Sequence, residues 1–297
     1  MRYGPDGDAL LTGGGDGTLK IWNVGTGAPR SKPLVSPAWR GSLSPDGAWY
    51  AAVDRDTTLR VFSIRDRKQT WTRPPSAAAR PARGLLFSAS HVAFGEGDDA
   101  IALADLETGA LQHVLRGFAG GLDACAFRSD AAQLACGARD GSVYLWDTAS
   151  GAPVAVLQGH GVQPRRMAFS RPGDLVAAGD ELGGIVVWRP PEARPLLRLE
   201  APGAPVHGLE FIDGDDRLAA LVGTSRTGTG VETGLGVTLF DLDSRAPVCH
   251  GIVDEGQGTN PRFCADASGK TLMVFGTSRP EISLVHLPSC RRMLAVP

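Results

Sequence analysis

The sequence predicts an all-β chain made of repeated four-stranded antiparallel units, and three observations carry the prediction. Along Leu122–Gly151, apolar residues take every second position: Leu122, Ala124 and Ala126, then Leu134, Cys136 and Ala138. That is the period of a strand with one face in a core. Arg139-Asp140-Gly141 is a tight-turn signal, because Asp-Gly accepts the positive φ angles of a short hairpin, and Ser142–Asp147 follows as a third strand. The strand end marked by Trp146 recurs in phase, at Trp22, Phe62, Ala104, Trp146, Trp188, Phe240 and Val285, with intervals of 40, 42, 42, 42, 52 and 45 residues.

Trp146-Asp147 closes its strand six residues after the turn aspartate Asp140, and in this the unit resembles the WD repeat, one blade of a β-propeller. The resemblance implies a seven-bladed β-propeller of four-stranded antiparallel blades. The blades fall at approximately 1–35, 36–75, 80–116, 120–158, 160–199, 203–252 and 258–297, in a single domain.

The units differ in how closely they follow the pattern. Pro5-Asp6-Gly7 and Pro45-Asp46-Gly47 match the family's turn between first and second strands. The third unit keeps a turn aspartate, Asp98, but has Ala104 in place of the tryptophan. The fifth opens with the family's Gly159-His160 and closes with Trp188, with Leu182 where the turn aspartate is expected. The sixth, ending near Phe240, carries the insertion Gly223–Gly236, and with the seventh it is the most diverged. In the family a histidine, a strand Ser or Thr, the turn aspartate and the tryptophan form a buried tetrad, and no unit here holds all four. Asp16, Asp56, Asp98 and Asp140 are therefore expected to cap their own turns, since a buried carboxylate without partners costs about 1–3 kcal/mol.

Only Met1–Gly4 precede the first turn, so the first blade is expected to lack most of its innermost strand and to leave the edge of Ala9–Thr12 open. An upstream continuation beyond Met1 is expected on that ground. Cys290–Val296 can supply the last blade's outer strand.

Composition narrows the function. A net charge of −2 gives no long-range attraction to nucleic acid or anionic membrane, and 42% hydrophobic residues suffice for a core. The 39 glycines and 21 prolines fall between short apolar runs, where turns belong. No apolar run has the length of a membrane span, and Met1 is followed by arginine and turn residues, so a cytoplasmic protein is expected. Five cysteines, never spaced CxxC, argue against a disulfide framework or zinc site. The hairpin places Cys125 opposite Cys136, and in a reducing compartment all five cysteines are expected as free thiols.

The candidate chemical sites have plainer readings. Gly223–Gly236 precedes a strand, Val237–Asp241, whereas a phosphate-cradling loop precedes a helix, so it reads as a flexible loop. His91, His113, His160, His207, His250 and His286 show no metal-ligand spacing, and Asp213–Asp216 is a turn without the rest of a calcium loop. Arg165-Arg166, Arg291-Arg292 and Arg80 with Arg83 are short and balanced by acids. Pro37, Pro81, Gly121, Gln163, Pro205 and Thr259, at the starts of the first strands, supply neither a carboxylate cluster nor a histidine ring.

The expectation is a non-catalytic protein-interaction scaffold without catalytic residues, cofactor or metal, monomeric or part of a larger chain, with a protein partner and neither nucleic acid nor membrane. The resemblance places partner docking on the face formed by loops before the first strand and between second and third strands. Arg55, Arg139 and Glu181 belong to such turns, Gln163 precedes a first strand, and Arg226 and Glu232 belong to the insertion. The alternatives are a sensory or scaffolding C-terminal part of a larger bacterial signalling protein, such as a WD-repeat Ser/Thr kinase, and a propeller enzyme acting on a small molecule.

Overall fold

In the computed structural model each phase marker closes the third strand of a sheet, in the last or next-to-last position. The structure describes residues 2–3, 9–13, 18–23, 25–30, 34–35, 40–44, 46–53, 58–66, 68–74, 85–96, 100–117, 124–201, 205–212, 216–223, 234–254, 262–265, 270–275 and 282–296.

Among the described residues the strands form seven four-stranded antiparallel sheets, each in simple up-and-down order. The first holds β1 (Arg2–Tyr3), β2 (Ala9–Gly13), β3 (Thr18–Asn23) and β4 (Leu34–Val35). The second holds β5 (Arg40–Leu43), β6 (Trp49–Val53), β7 (Leu59–Ser63) and β8 (Lys68–Arg73). The third holds β9 (Leu85–Phe87), β10 (His91–Gly95), β11 (Ala100–Asp105) and β12 (Leu111–Arg116). The fourth holds β13 (Cys125–Phe127), β14 (Gln133–Gly137), β15 (Val143–Asp147) and β16 (Pro153–Leu157). The fifth holds β17 (Arg166–Phe169), β18 (Val176–Gly179), β19 (Gly184–Trp188) and β20 (Leu197–Glu200). The sixth holds β21 (Val206–Ile212), β22 (Arg217–Gly223), β23 (Leu235–Asp241) and β24 (Ala246–Asp254). The seventh holds β25 (Arg262–Ala265), β26 (Thr271–Phe275), β27 (Ile282–His286) and β28 (Arg291–Val296), with a single 3-10 turn at Leu287–Ser289.

By contact density the chain divides into two compact units. One comprises Met1–Asp123, Asp130–Gln133 and Trp146–Ala152; the other comprises Ala124–Ser129, Leu134–Leu145 and Pro153–Pro297. In the second unit the sheets are apolar on both faces. Val176, Ala178, Val186 and Trp188 pack with Ala135, Val143 and Leu145, whereas Ala177, Ile185 and Val187 pack with Leu218, Ala220 and Val222. Consecutive residues of one strand thus serve two cores, which is the direct consequence of the two-residue period. In the first unit Ala51, Val53, Leu59 and Val61 form a core with Phe87, Val92, Phe94 and Ala102.

The residue after the marker caps the turn to the outer strand. Asn23, Asp105, Asp147 and Asp241 accept from the backbone N–H of Thr26, Thr108, Ser150 and Ser244 at 2.9, 2.7, 2.8 and 2.8 Å. Hydrogen bonds from Thr108, Ser150 and Ser244 hold the three aspartic carboxyls below their ordinary range. At the marker itself the register between third and fourth strands slips, at Val61/Phe62, Leu103/Ala104, Leu239/Phe240 and Leu284/Val285.

Successive sheets are clasped at these outer turns. Trp71 of β8 donates Nε1–H to Leu106 O at 2.9 Å and lies over Gly109, whose φ is +74°. A Cβ on Gly109 would stand 2.6 Å from Trp71 Cδ2. His113 of β12 lies with Nε2 2.9 Å from Ala149 O.

One expectation is modified and one corrected. The first sheet keeps only a two-residue innermost strand, β1, as expected, yet it pairs Arg2 with Leu11 and Tyr3 with Leu10 and so covers the middle of the edge expected to be open. Nor are all five cysteines free: four are paired. Cys125 and Cys136 are opposite in register with Cα atoms 4.1 Å apart and form a disulfide, and a second joins Cys249 to Cys290, Cα to Cα 5.8 Å. The first pair bonds because facing side chains approach most closely at such a narrow antiparallel pairing.

Candidate functional site

The turns between second and third strands and the loops leading into first strands adjoin one another in the second unit. Asp140 in the β14–β15 turn accepts from Ser142 N–H at 2.9 Å, a cap within its own turn. Gly141 has φ +83°, and a Cβ there would stand 3.1 Å from Gly161 N and 3.2 Å from Val162 N. Only glycine allows the turn carrying Arg139 to approach the loop carrying Gln163 so closely. Arg139 is exposed and Gln163 half-buried.

That loop is anchored by His160, whose side chain is wholly buried. Its Nε2 lies 3.1 Å from the carbonyl of Ala178, which can only accept, so Nε2 carries the hydrogen it donates. Its Nδ1 lies 3.3 Å from Asp180 Oδ2 without the angle of a hydrogen bond. Asp180 Oδ1 accepts from Leu182 N–H at 2.7 Å and Gly184 N–H at 2.9 Å. One buried carboxylate therefore fixes the β18–β19 turn and meets the histidine of the neighbouring loop. Trp188 adds a third tie, donating Nε1–H to Gln158 O at 2.9 Å.

The exposed ends of these anchored segments differ in chemistry. Glu181 Oε2 pairs with Arg165 Nη2 at 3.0 Å, both side chains about half exposed. Leu182 beside it is 60% exposed. Arg166 turns inward and donates Nε–H to His207 O at 2.6 Å. Among the described residues no three His, Cys, Asp or Glu side chains gather as a metal-binding set. An amide, an ion pair, arginine and an exposed leucine on pinned turns make a surface suited to binding.

Of the other sequence-derived positions, Phe62, Trp146, Trp188 and Phe240 are buried, Trp22 is half-buried and Asp147 caps the outer turn. Asp16, Asp56 and Asp98, with Arg55, Arg226 and Glu232, lie outside the described residues. The fifth sheet corrects the sequence reading. Its turn aspartate is not missing at Leu182 but moved two residues earlier, to Asp180, the position held by Ala138 in the fourth sheet. The signal was present, since aspartate is favoured at the first position of a turn, where it caps following amides. Leu182 as a surface group was missed because the sequence comparison marks that turn position only by the aspartate it lacks.

The family model for the WD domain, G-beta repeat, matches residues 1–23, 109–147 and 151–189. No curated protein matches the chain. Repeats of this kind generally mediate protein–protein interaction, and propellers of this family are generally non-catalytic. The matched stretches take in Trp22, Trp146-Asp147, His160, Asp180 and Trp188, and over them the chain is similar to the WD repeat.

Proposed function

We propose that the seven sheets are the blades of a seven-bladed β-propeller and that the chain is a non-catalytic platform for a protein partner. Seven sheets of equal strand number, with apolar side chains of the fifth packing against both the fourth and the sixth, support the propeller reading. The partner docks on the face of Arg139, Gln163, Arg165, Glu181 and Leu182. The observation that carries this is Leu182, an apolar side chain 60% exposed on a turn that Asp180 holds rigid. A leucine placed in water on a fixed support loses little entropy when a partner covers it.

The test is site-specific cross-linking. A photoreactive amino acid at Leu182 should capture one protein that the same group at Val154, on β16, does not. Leu182→Asp should abolish that interaction while changing stability by less than about 0.5 kcal/mol. Equal capture at both positions, or undiminished binding by Leu182→Asp, would place the docking surface elsewhere.

A further inference from the structure

The clasps between successive sheets use the same two positions, and one of them is covalent. Trp71, His113 and Cys249 each stand nine residues after a marker, on β8, β12 and β24. Trp71 and His113 meet the carbonyls of Leu106 and Ala149. Cys249 Sγ lies 3.3 Å from Leu287 O, and Leu287 follows Val285 by the same two residues as Leu106 follows Ala104. Gly109 and Gly151, five residues after their markers, have φ +74° and +69°; Cys290 holds that position in the seventh sheet and keeps the left-handed backbone, φ 51°. Where the others have no side chain, Cys290 has a sulfur, and it is bonded to Cys249.

We propose that Cys249–Cys290 is a thiol–disulfide switch that converts this clasp between a covalent and a hydrogen-bonded form while the sheets stay folded. The same sulfur is placed for both states. Oxidised, it is tied to Cys290. Reduced, the Cys249 S–H points at Leu287 O, as the Trp71 N–H does at Leu106 O. The turn stays seated in either state because β24 offers it Gly251, where any Cβ would collide with Cys290 O.

Access to the bond is one-sided. Cys249 is half-buried on the outermost strand and Cys290 is buried. The thiolate of a dithiol reductant therefore attacks Cys249 Sγ, the S–S bond breaks, and Cys290 leaves as a thiolate that takes up a proton. The second thiol of the reductant attacks the mixed disulfide and closes it to the reductant's own disulfide, releasing Cys249 as a thiol. The protein gains two electrons and two protons, and the reductant loses them.

Hydrogen exchange on the Cys125→Ala/Cys136→Ala chain isolates this bond. Adding dithiothreitol should speed exchange in β24 and β28 by about tenfold, leave β18 and β19 unchanged, and be reversed by oxidised dithiothreitol. Cys249 and Cys290 found as free thiols before reduction, no change in exchange, or loss of protection throughout the chain would each overturn the switch. If that variant does not fold, the unaltered chain serves, reading peptides of residues 282–296 against those of 125–137. Cys249→His/Cys290→Gly, the residue pair of the third sheet's clasp, should ignore dithiothreitol and exchange like the reduced form. Exchange in that variant as slow as in the oxidised form would show that the covalent bond adds nothing, and would also overturn the proposal.

Discussion

His160 and Asp180 meet at 3.3 Å, Nδ1 to Oδ2, with both side chains almost wholly buried, and the contact joins two loops whose other ends carry Gln163, Glu181 and Leu182. Removing either group leaves its neighbour buried without it. His160→Ala and Asp180→Ala should each cost about 2 kcal/mol in urea unfolding. The double variant should cost less than their sum, because the two side chains share one buried contact that either deletion already removes. Additive losses would mean that the two anchor their loops independently.

The outer-turn caps give the chain a dependence on acid. The Asp105, Asp147 and Asp241 carboxyls are held low by hydrogen bonds from Thr108, Ser150 and Ser244. A carboxyl depressed in the folded chain contributes stability above its unfolded value, and the contribution is lost as pH falls through the folded value. The melting temperatures of the native chain and Asp147→Ala should therefore differ most near pH 6 and converge below about pH 4. A gap that persists unchanged to about pH 2 would show that the cap owes nothing to charge.

Gly109 is required by two independent constraints, its backbone angle of +74° and the indole of Trp71 above it. Gly109→Ala should cost about 1–3 kcal/mol. In a Trp71→Ala background the same substitution should cost less, since the steric part is gone and the backbone part remains. Equal costs in the two backgrounds would show that the indole yields freely.

Thiol titration checks the sulfur chemistry directly. Four of the 5 cysteines are in disulfides, so the chain isolated without reductant and then unfolded should show about one reactive thiol, and about five after reduction. Five thiols before reduction would contradict both bonds.

The strands were legible because their faces alternate so regularly: Val176, Ala177 and Ala178 go to opposite cores in turn, and a two-residue period records that without help from distant residues. The Asp140 cap was legible for the same local reason. Asp180 was not, because the reading compared units at one fixed offset and a cap can move along its turn without changing the turn. The Cys249–Cys290 bond spans 41 residues and depends on how two sheets stack, which no local pattern encodes. At Cys125 and Cys136 the hairpin pattern predicts the opposition that the structure has, whereas the premise of a reducing compartment predicts free thiols in place of the bond. The pairing of Arg165 with Glu181 depends on the spacing of two loops, so it too emerges only in three dimensions.

The register slips at Phe62, Ala104, Phe240 and Val285 bear on what the molecule avoids. Each lies between the third and fourth strands of its sheet, and among the described residues the fourth strand pairs with no further strand. A straight, regular border of that kind would let a passing chain add itself as a fifth strand, and copies could then grow side by side into fibrils. A bulge bends its strand and sharpens the local twist. Irregularity at these four borders thus works against the addition of a fifth strand, whatever side chains the fourth strands carry.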